Sequence, residues 1–210
     1  MNLTGPGLAF PAKAQTSGTN VGVPSGFVNE LLVSELLPRF SSLTKSGRVF
    51  SALATVTAPV IYSTAAGTGG PLIWNRPSSG VDVHVLAVTF GGFTTATSVA
   101  GSIGFTGAGG QSIAPTSTTA IDATGNMLVG GPASAVNVYR IGTPANPGTQ
   151  FVPIIASGTG AITVLETSIG LIDVGGSFVI PPGTWGALAA SATLTAGVVG
   201  LGLIWAELPA

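Results

Sequence analysis

Apolar and polar positions alternate most cleanly between Val81 and Phe90. There Val81, Val83, Val85 and Ala87 share one face, and Asp82, His84 and Leu86 share the other. A period of two over such a run predicts a half-buried β-strand. Shorter runs of the same character read as strands at Arg48–Val56, Leu72–Trp74, Ser98–Phe105, Ala135–Ile141, Phe151–Ala156, Ile162–Thr167 and Leu171–Val174, with brief ones at Val60–Tyr62 and Met127–Val129. Turn-forming clusters such as Asn75–Gly80 and Pro144–Gly148 separate them. The Gly/Ser/Thr-rich residues 106–126 read as an excursion loop.

The strongest organising signal lies at the end of the chain. Phe178-Val179-Ile180 runs into Pro181-Pro182-Gly183, then Thr184-Trp185, and the chain closes on Val198–Leu208. Proline has no N–H for a ladder and glycine takes the φ of a tight turn, so Pro181–Gly183 marks a corner between strands. Val198–Leu208 mixes β-branched residues and Trp205 with glycines and reads as a closing strand antiparallel to the one before it.

Only residues 27–40 carry a helical pattern. Phe27, Leu31, Leu32 and Leu36 fall on one stripe, Ser25 is placed to cap it, Glu30 suits its first turns, and Pro38 ends it. The stripe packs either on the chain's own sandwich or on a neighbouring subunit. Residues 1–26 are broken by Gly5, Pro6, Gly7, Pro11, Gly18, Gly22, Pro24 and Gly26, with no surviving period. They read as an extended arm, either a loose terminus or a tie to another subunit through Leu3, Leu8, Phe10, Val21 and Val23, joined by Phe27 and Leu31 of the helix. No 10–15-residue helix alternates with the strands. The expected fold is therefore an all-β antiparallel sandwich, jelly-roll-like, over residues 41–210, preceded by the arm (1–26) and one short helix (27–40).

Composition sharpens this picture. Charged residues make up 6% of the 210, against about 25% in ordinary globular proteins. Hydrophobic residues make up 45%, so the chain is not of the disordered class. So weakly charged an exterior suits an assembled protein better than a solitary one. The six Lys and Arg residues are scattered and the net charge is −1, which argues against nucleic-acid binding. There is no cysteine, hence no disulfide and no thiolate chemistry. The apolar residues 185–205 are interrupted by glycines and threonines and read as strands, not a membrane span. Met1 is not followed by a charged region and an apolar core, so no secretory signal is read.

Candidate chemistry is sparse. His84, the one histidine, shares a strand face with Asp82. The pair could act as a catalytic or metal-binding couple, but a metal site normally needs three or more ligands, and the plain reading is an outer-face polar pair. Asp122, Glu166, Asp173 and Glu207 have no spacing that marks a glycosidase couple. Thr106–Ser112 is Gly-rich but lacks a Walker lysine and a following helix. Trp74 and Trp205 read as core, while Trp185 after the Pro-Pro-Gly corner is open to a glycan-platform reading. No cofactor is called for.

The order Leu36-Leu37-Pro38-Arg39-Phe40, Gly47–Ala52, Leu72–Val81, Ile180–Trp185 and Leu203–Leu208 resembles virion structural proteins of tailed bacteriophages over roughly residues 30–208. The resemblance implies a β-sandwich virion component that forms oligomers, with no catalytic residues. The expectation is a non-enzymatic capsid decoration or cement protein on the outer surface of the particle, a trimer bound to the major capsid protein or other virion proteins. The alternatives are a receptor- or glycan-binding fibre or baseplate module using loop 106–126 and Trp185, a polysaccharide depolymerase, and the jelly-roll capsid protein itself.

Overall fold

The computed structural model describes residues 40–56, 70–94, 101–121, 123–157, 170–191 and 198–210. The chain divides into two compact units, Met1–Ser41 and Ser42–Ala210. The arm, the helical stripe up to residue 39, Val60–Tyr62 and Ile162–Thr167 lie outside the described residues. Phe40, the last residue of the expected helix, sits in a turn with φ 65°.

The described helix, α1 (Ser41–Lys45), comes just after that stretch. It ends in a Schellman motif: the Gly47 N–H donates to the Thr44 carbonyl (2.9 Å) and the Arg48 N–H to the Leu43 carbonyl (3.0 Å). Gly47 takes φ 70° there, which an L side chain resists.

Eleven strands follow among the described residues: β1 (Val49–Val56), β2 (Leu72–Asn75), β3 (Val81–Thr94), β4 (Gly101–Ala108), β5 (Thr116–Ala120), β6 (Ala123–Asn126), β7 (Asn137–Thr143), β8 (Gln150–Ser157), β9 (Gly170–Ile180), β10 (Thr184–Ala190) and β11 (Val198–Pro209). They form two antiparallel sheets, in the orders β6-β1-β11-β3-β9 and β5-β7-β2-β10-β4-β8. Set β5, β6 and β7 aside and the remaining eight strands give β1-β11-β3-β9 facing β2-β10-β4-β8. Each chain step then crosses from one sheet to the other, except the β4-to-β8 step between hydrogen-bonded neighbours. That is the double Greek key of a jelly roll. The all-β sandwich read from the sequence is the fold, and residues 109–149 are an insertion that adds one strand to the first sheet and two to the second.

The core lies between the sheets. Leu201, Leu203 and Trp205 of central β11 are fully buried, with Phe50, Val83, Val85, Val88, Ile73 and Leu188 around them. Each such side chain contributes on the order of 1.5–3 kcal/mol of burial. Phe50 stacks on Trp205 at 5.8 Å, and Phe105 of β4 stacks on Phe178 of β9 at 4.6 Å across the sandwich.

Three sequence readings are corrected. First, the face Val81-Val83-Val85-Ala87 does not continue through β3. A bulge leaves Leu86 without a partner on β11, where Val85 pairs Trp205 and Ala87 pairs Ile204, so Val88 and not Ala87 takes the next place in the central cluster between the sheets, although Ala87 too is buried. Second, the last two strands do not pair with each other. β10 lies between β2 and β4, and β11 between β1 and β3. The Pro181–Gly183 turn carries the chain from β9 in one sheet to β10 in the other, the corner that its composition announces. Third, residues 106–126 are not one loop. Thr106–Ala108 complete β4, β5 and β6 follow, and Met127–Val129 form a turn in place of the expected strand.

Candidate functional site

Glu207 is the one charged residue buried among the described residues, at 6% exposure. It follows Trp205 by two on β11, so both side chains point between the sheets. Its carboxylate accepts from the Ser134 hydroxyl, the Ala135 N–H (2.9 Å) and the Trp205 indole N–H (3.2 Å). Burying a carboxylate is tolerable only when its lone pairs are met in this way. The effect is to tie the insertion, at Ser134–Ala135, to the end of the sandwich core.

Beside this carboxylate a cleft of about 360 Å³ opens, walled by the turn before β1, the start of β3 and the insertion. Phe50 lines it together with Gly47, Arg48, Gly80, Pro132 and Glu207. Arg48 and Glu207 face each other across the β1–β11 ladder, the Glu207 N–H donating to the Arg48 carbonyl (2.9 Å). Yet no ion pair joins them. Both carboxylate oxygens are turned to the donors above, and the Arg48 side chain is exposed.

The outer face of the second sheet carries a separate apolar cluster of Leu72, Trp74, Ala108, Trp185 and Ala187, with Tyr139 against it. The insertion is hydrogen-bonded to it at two points: the Trp74 indole donates to the Gln111 carbonyl (3.1 Å) and the Trp185 indole to the Asn146 carbonyl (3.1 Å). Gln111, fully buried, binds the strap together. Its Nε2 donates to the Ile113 carbonyl (2.6 Å), its Oε1 accepts from the Ala145 N–H (2.9 Å), and its own N–H donates to the Gly183 carbonyl (2.8 Å). Trp185 is 5% exposed with its N–H engaged, so it offers no open stacking platform. The Gln111 N–H, which a phosphate at the Gly-rich run would need, is already spent.

The remaining candidates do not converge. Asp82 and His84 are half-buried on the outer side of β3, with no hydrogen bond or ion pair between them among the described residues. Asp173 lies exposed on the outer side of β9, where its carboxylate caps the Gly175 N–H (2.8 Å), whereas Glu207 points inward. They make no facing couple. Asp122, Glu166, and the arm and helix residues Leu3, Leu8, Phe10, Val21, Val23, Phe27 and Leu31 lie outside the described residues. No group of three His, Asp or Glu side chains gathers among the described residues.

The sequence reading missed Gln111 and Asn126, which hold the insertion, and Asn75, which holds the start of β3 and the β9–β10 corner together, and gave Glu207 no structural part. Only Glu207 left a trace in the sequence, a lone carboxylate two residues past a tryptophan in an apolar strand. No protein-family model, curated protein or solved structure matches this chain.

Proposed function

We propose that the chain is a non-enzymatic bacteriophage virion structural protein, a capsid decoration or cement protein that sits as an oligomer, a trimer in the favoured form, on the outside of the shell. The observation that carries this reading is the surface. Large apolar side chains stand in solvent on a protein with few charges to keep it apart from its neighbours: Val129 is 98% exposed, Leu171 63% and Ile113 62%. Exposed apolar groups mark contact sites where they stand together, as Met127, Leu128 and Val129 do on one turn at 47%, 37% and 98% exposure. The arm 1–26 would tie each copy to a neighbour, and each clamp would gain about 25 cal/mol per Å² of apolar surface covered. The test is cosedimentation of purified protein with empty capsids, for the full chain and for a chain lacking residues 2–26. Binding by the full chain, weakened by the truncation, is expected. A monomer that ignores capsids overturns the reading.

A second reading, the shell-forming capsid protein, draws support from the eight-stranded jelly-roll order, which such proteins share. Fold alone does not assign function. Closed particles formed by the pure protein would favour the shell-former over the decoration protein.

A further inference from the structure

One end of the sandwich joins the cleft to an excess of exposed positive charge. Arg48 lies on the cleft wall, Lys45 precedes the wall residues Ser46 and Gly47, and Arg76 opens the turn that ends at Gly80. All three side chains are exposed, and none has an ion-pair partner among the described residues. The fourth described cation, Arg140, lies in β7. Glu207 also lines the cleft and offsets one of these charges, though its oxygens are turned to Ser134, Ala135 and Trp205 and not to a cation. Asp82 is half-buried on β3. Arg48 on the cleft wall, with Lys45 and Arg76 within a few residues of other wall positions in sequence, therefore outnumber Glu207 at an opening lined by an aromatic ring and prolines.

The insertion turn beside the cleft adds apolar surface. Met127, Leu128 and Val129 are 47%, 37% and 98% exposed, and Pro132 and Leu128 lie against Gly47. The turn is rigidly built. Asn126 donates to the Gly47 carbonyl (2.7 Å) and the Pro132 carbonyl (2.9 Å) and accepts from the Leu128 N–H (2.8 Å).

We propose that this end docks an acidic segment of a partner polypeptide, its carboxylates meeting Arg48, Lys45 and Arg76 and an apolar side chain entering the cleft toward Phe50. Charge complementarity selects the acidic class. The cleft and the turn select a polypeptide over a nucleic acid, since three cations displace few counterions and no exposed aromatic ring lines the cleft to stack a base. The inference rests on the proposed function only for where the partner comes from, namely the shell.

The experiment uses the full chain and a fluorescein-labelled decapeptide of alternating Glu and Leu, read by anisotropy at low and high salt. A Lys–Leu decapeptide and a ten-residue oligothymidylate serve as comparison probes. Binding of the acidic peptide that weakens with salt is expected, and the Lys45→Glu, Arg48→Glu, Arg76→Glu triple variant should bind on the order of tenfold more weakly. Should the triple variant not fold, Arg48→Gln alone, altering an exposed side chain, is expected to reduce binding measurably. No binding of the acidic peptide, equal binding of the basic one, tighter binding of the oligothymidylate, or undiminished binding by the folded variants would each overturn the proposal. Loss of capsid cosedimentation with peptide binding intact would overturn the decoration reading and leave this one standing.

Discussion

Trp205 and Glu207 are bound to each other along a single strand: the indole N–H donates to the carboxylate at 3.2 Å, and the same carboxylate holds Ser134 and Ala135 of the insertion. Removing it strands three donors at once, each of them in a charge-assisted hydrogen bond. Glu207→Ala is therefore expected to lower unfolding stability by about 3 kcal/mol, and Glu207→Gln, which keeps one acceptor, by about 1 kcal/mol. Urea unfolding checks this, with the midpoint falling while the slope stays fixed. Equal losses for the two variants would mean that shape, not hydrogen bonding, sets the effect.

Asn75 performs the matching task at the β9–β10 corner. Its Nδ2 donates to the Val81 carbonyl (2.7 Å) and the Ile180 carbonyl (2.8 Å), while its Oδ1 is buried without a hydrogen-bond partner. Asn75→Ala should cost about 1–3 kcal/mol by leaving two carbonyls unmet. Asn75→Asp should cost more, because it turns a buried carboxylate toward those same carbonyls. Thermal unfolding of the two variants at neutral pH orders them.

All three tryptophans are shielded, with Trp205 at 0%, Trp185 at 5% and Trp74 at 9% exposure. Native fluorescence is expected to be blue-shifted and poorly quenched by acrylamide, with red-shifting and full quenching in urea. Added oligosaccharide should leave the emission unchanged. A glycan-dependent change that disappears in Trp185→Phe would restore the platform reading of that residue.

The sandwich was legible because its signals are local. The alternation up to Val85, the Pro181–Gly183 corner and the apolar run into Trp205 each state their element within a few residues. What could not be read depends on partners distant in sequence. The Leu86 bulge is defined by Ile204 and Trp205 of β11 on one side and by Asp173 and Phe178 of β9 on the other. Trp185 is engaged by the Asn146 carbonyl and by Leu72, Trp74 and Ala108, all far from it in sequence. Met127-Leu128-Val129 has strand composition, yet Asn126 and the Gly131 N–H, which donates to the Leu128 carbonyl (2.8 Å), close it into a turn.

Gly186 on β10 faces the core, against Phe105 and Ile180. A Cβ there would lie 2.5 Å from the Phe105 ring and 2.8 Å from Ile180 Cδ1. Both neighbours are themselves packed, so neither can yield freely. Gly186→Ala should cost about 1–3 kcal/mol by overpacking. Pairing it with Ile180→Val should recover part of the loss, a non-additivity that only direct contact produces. Additive losses in the double variant would place the strain elsewhere.

Val129 offers the sharpest separation of folding from assembly. Its side chain stands 98% in solvent, so Val129→Asp removes no internal contact and should move stability by no more than about 0.5 kcal/mol. Leu128 differs. It is 37% exposed, and its Cδ2 comes within 3.6 Å of the point a Cβ on Gly47 would occupy, packed along the Schellman turn that launches β1. Leu128→Asp should therefore weaken folding as well as docking. If the turn makes an apolar contact in the assembly, Val129→Asp will lower capsid cosedimentation or native mass with its unfolding midpoint unmoved, and Leu128→Asp will lower both. An assembled, fully binding Val129→Asp protein would remove this turn from the contact surface, leaving Leu171 and Leu53, 63% and 44% exposed on the first sheet, as the next apolar positions to alter.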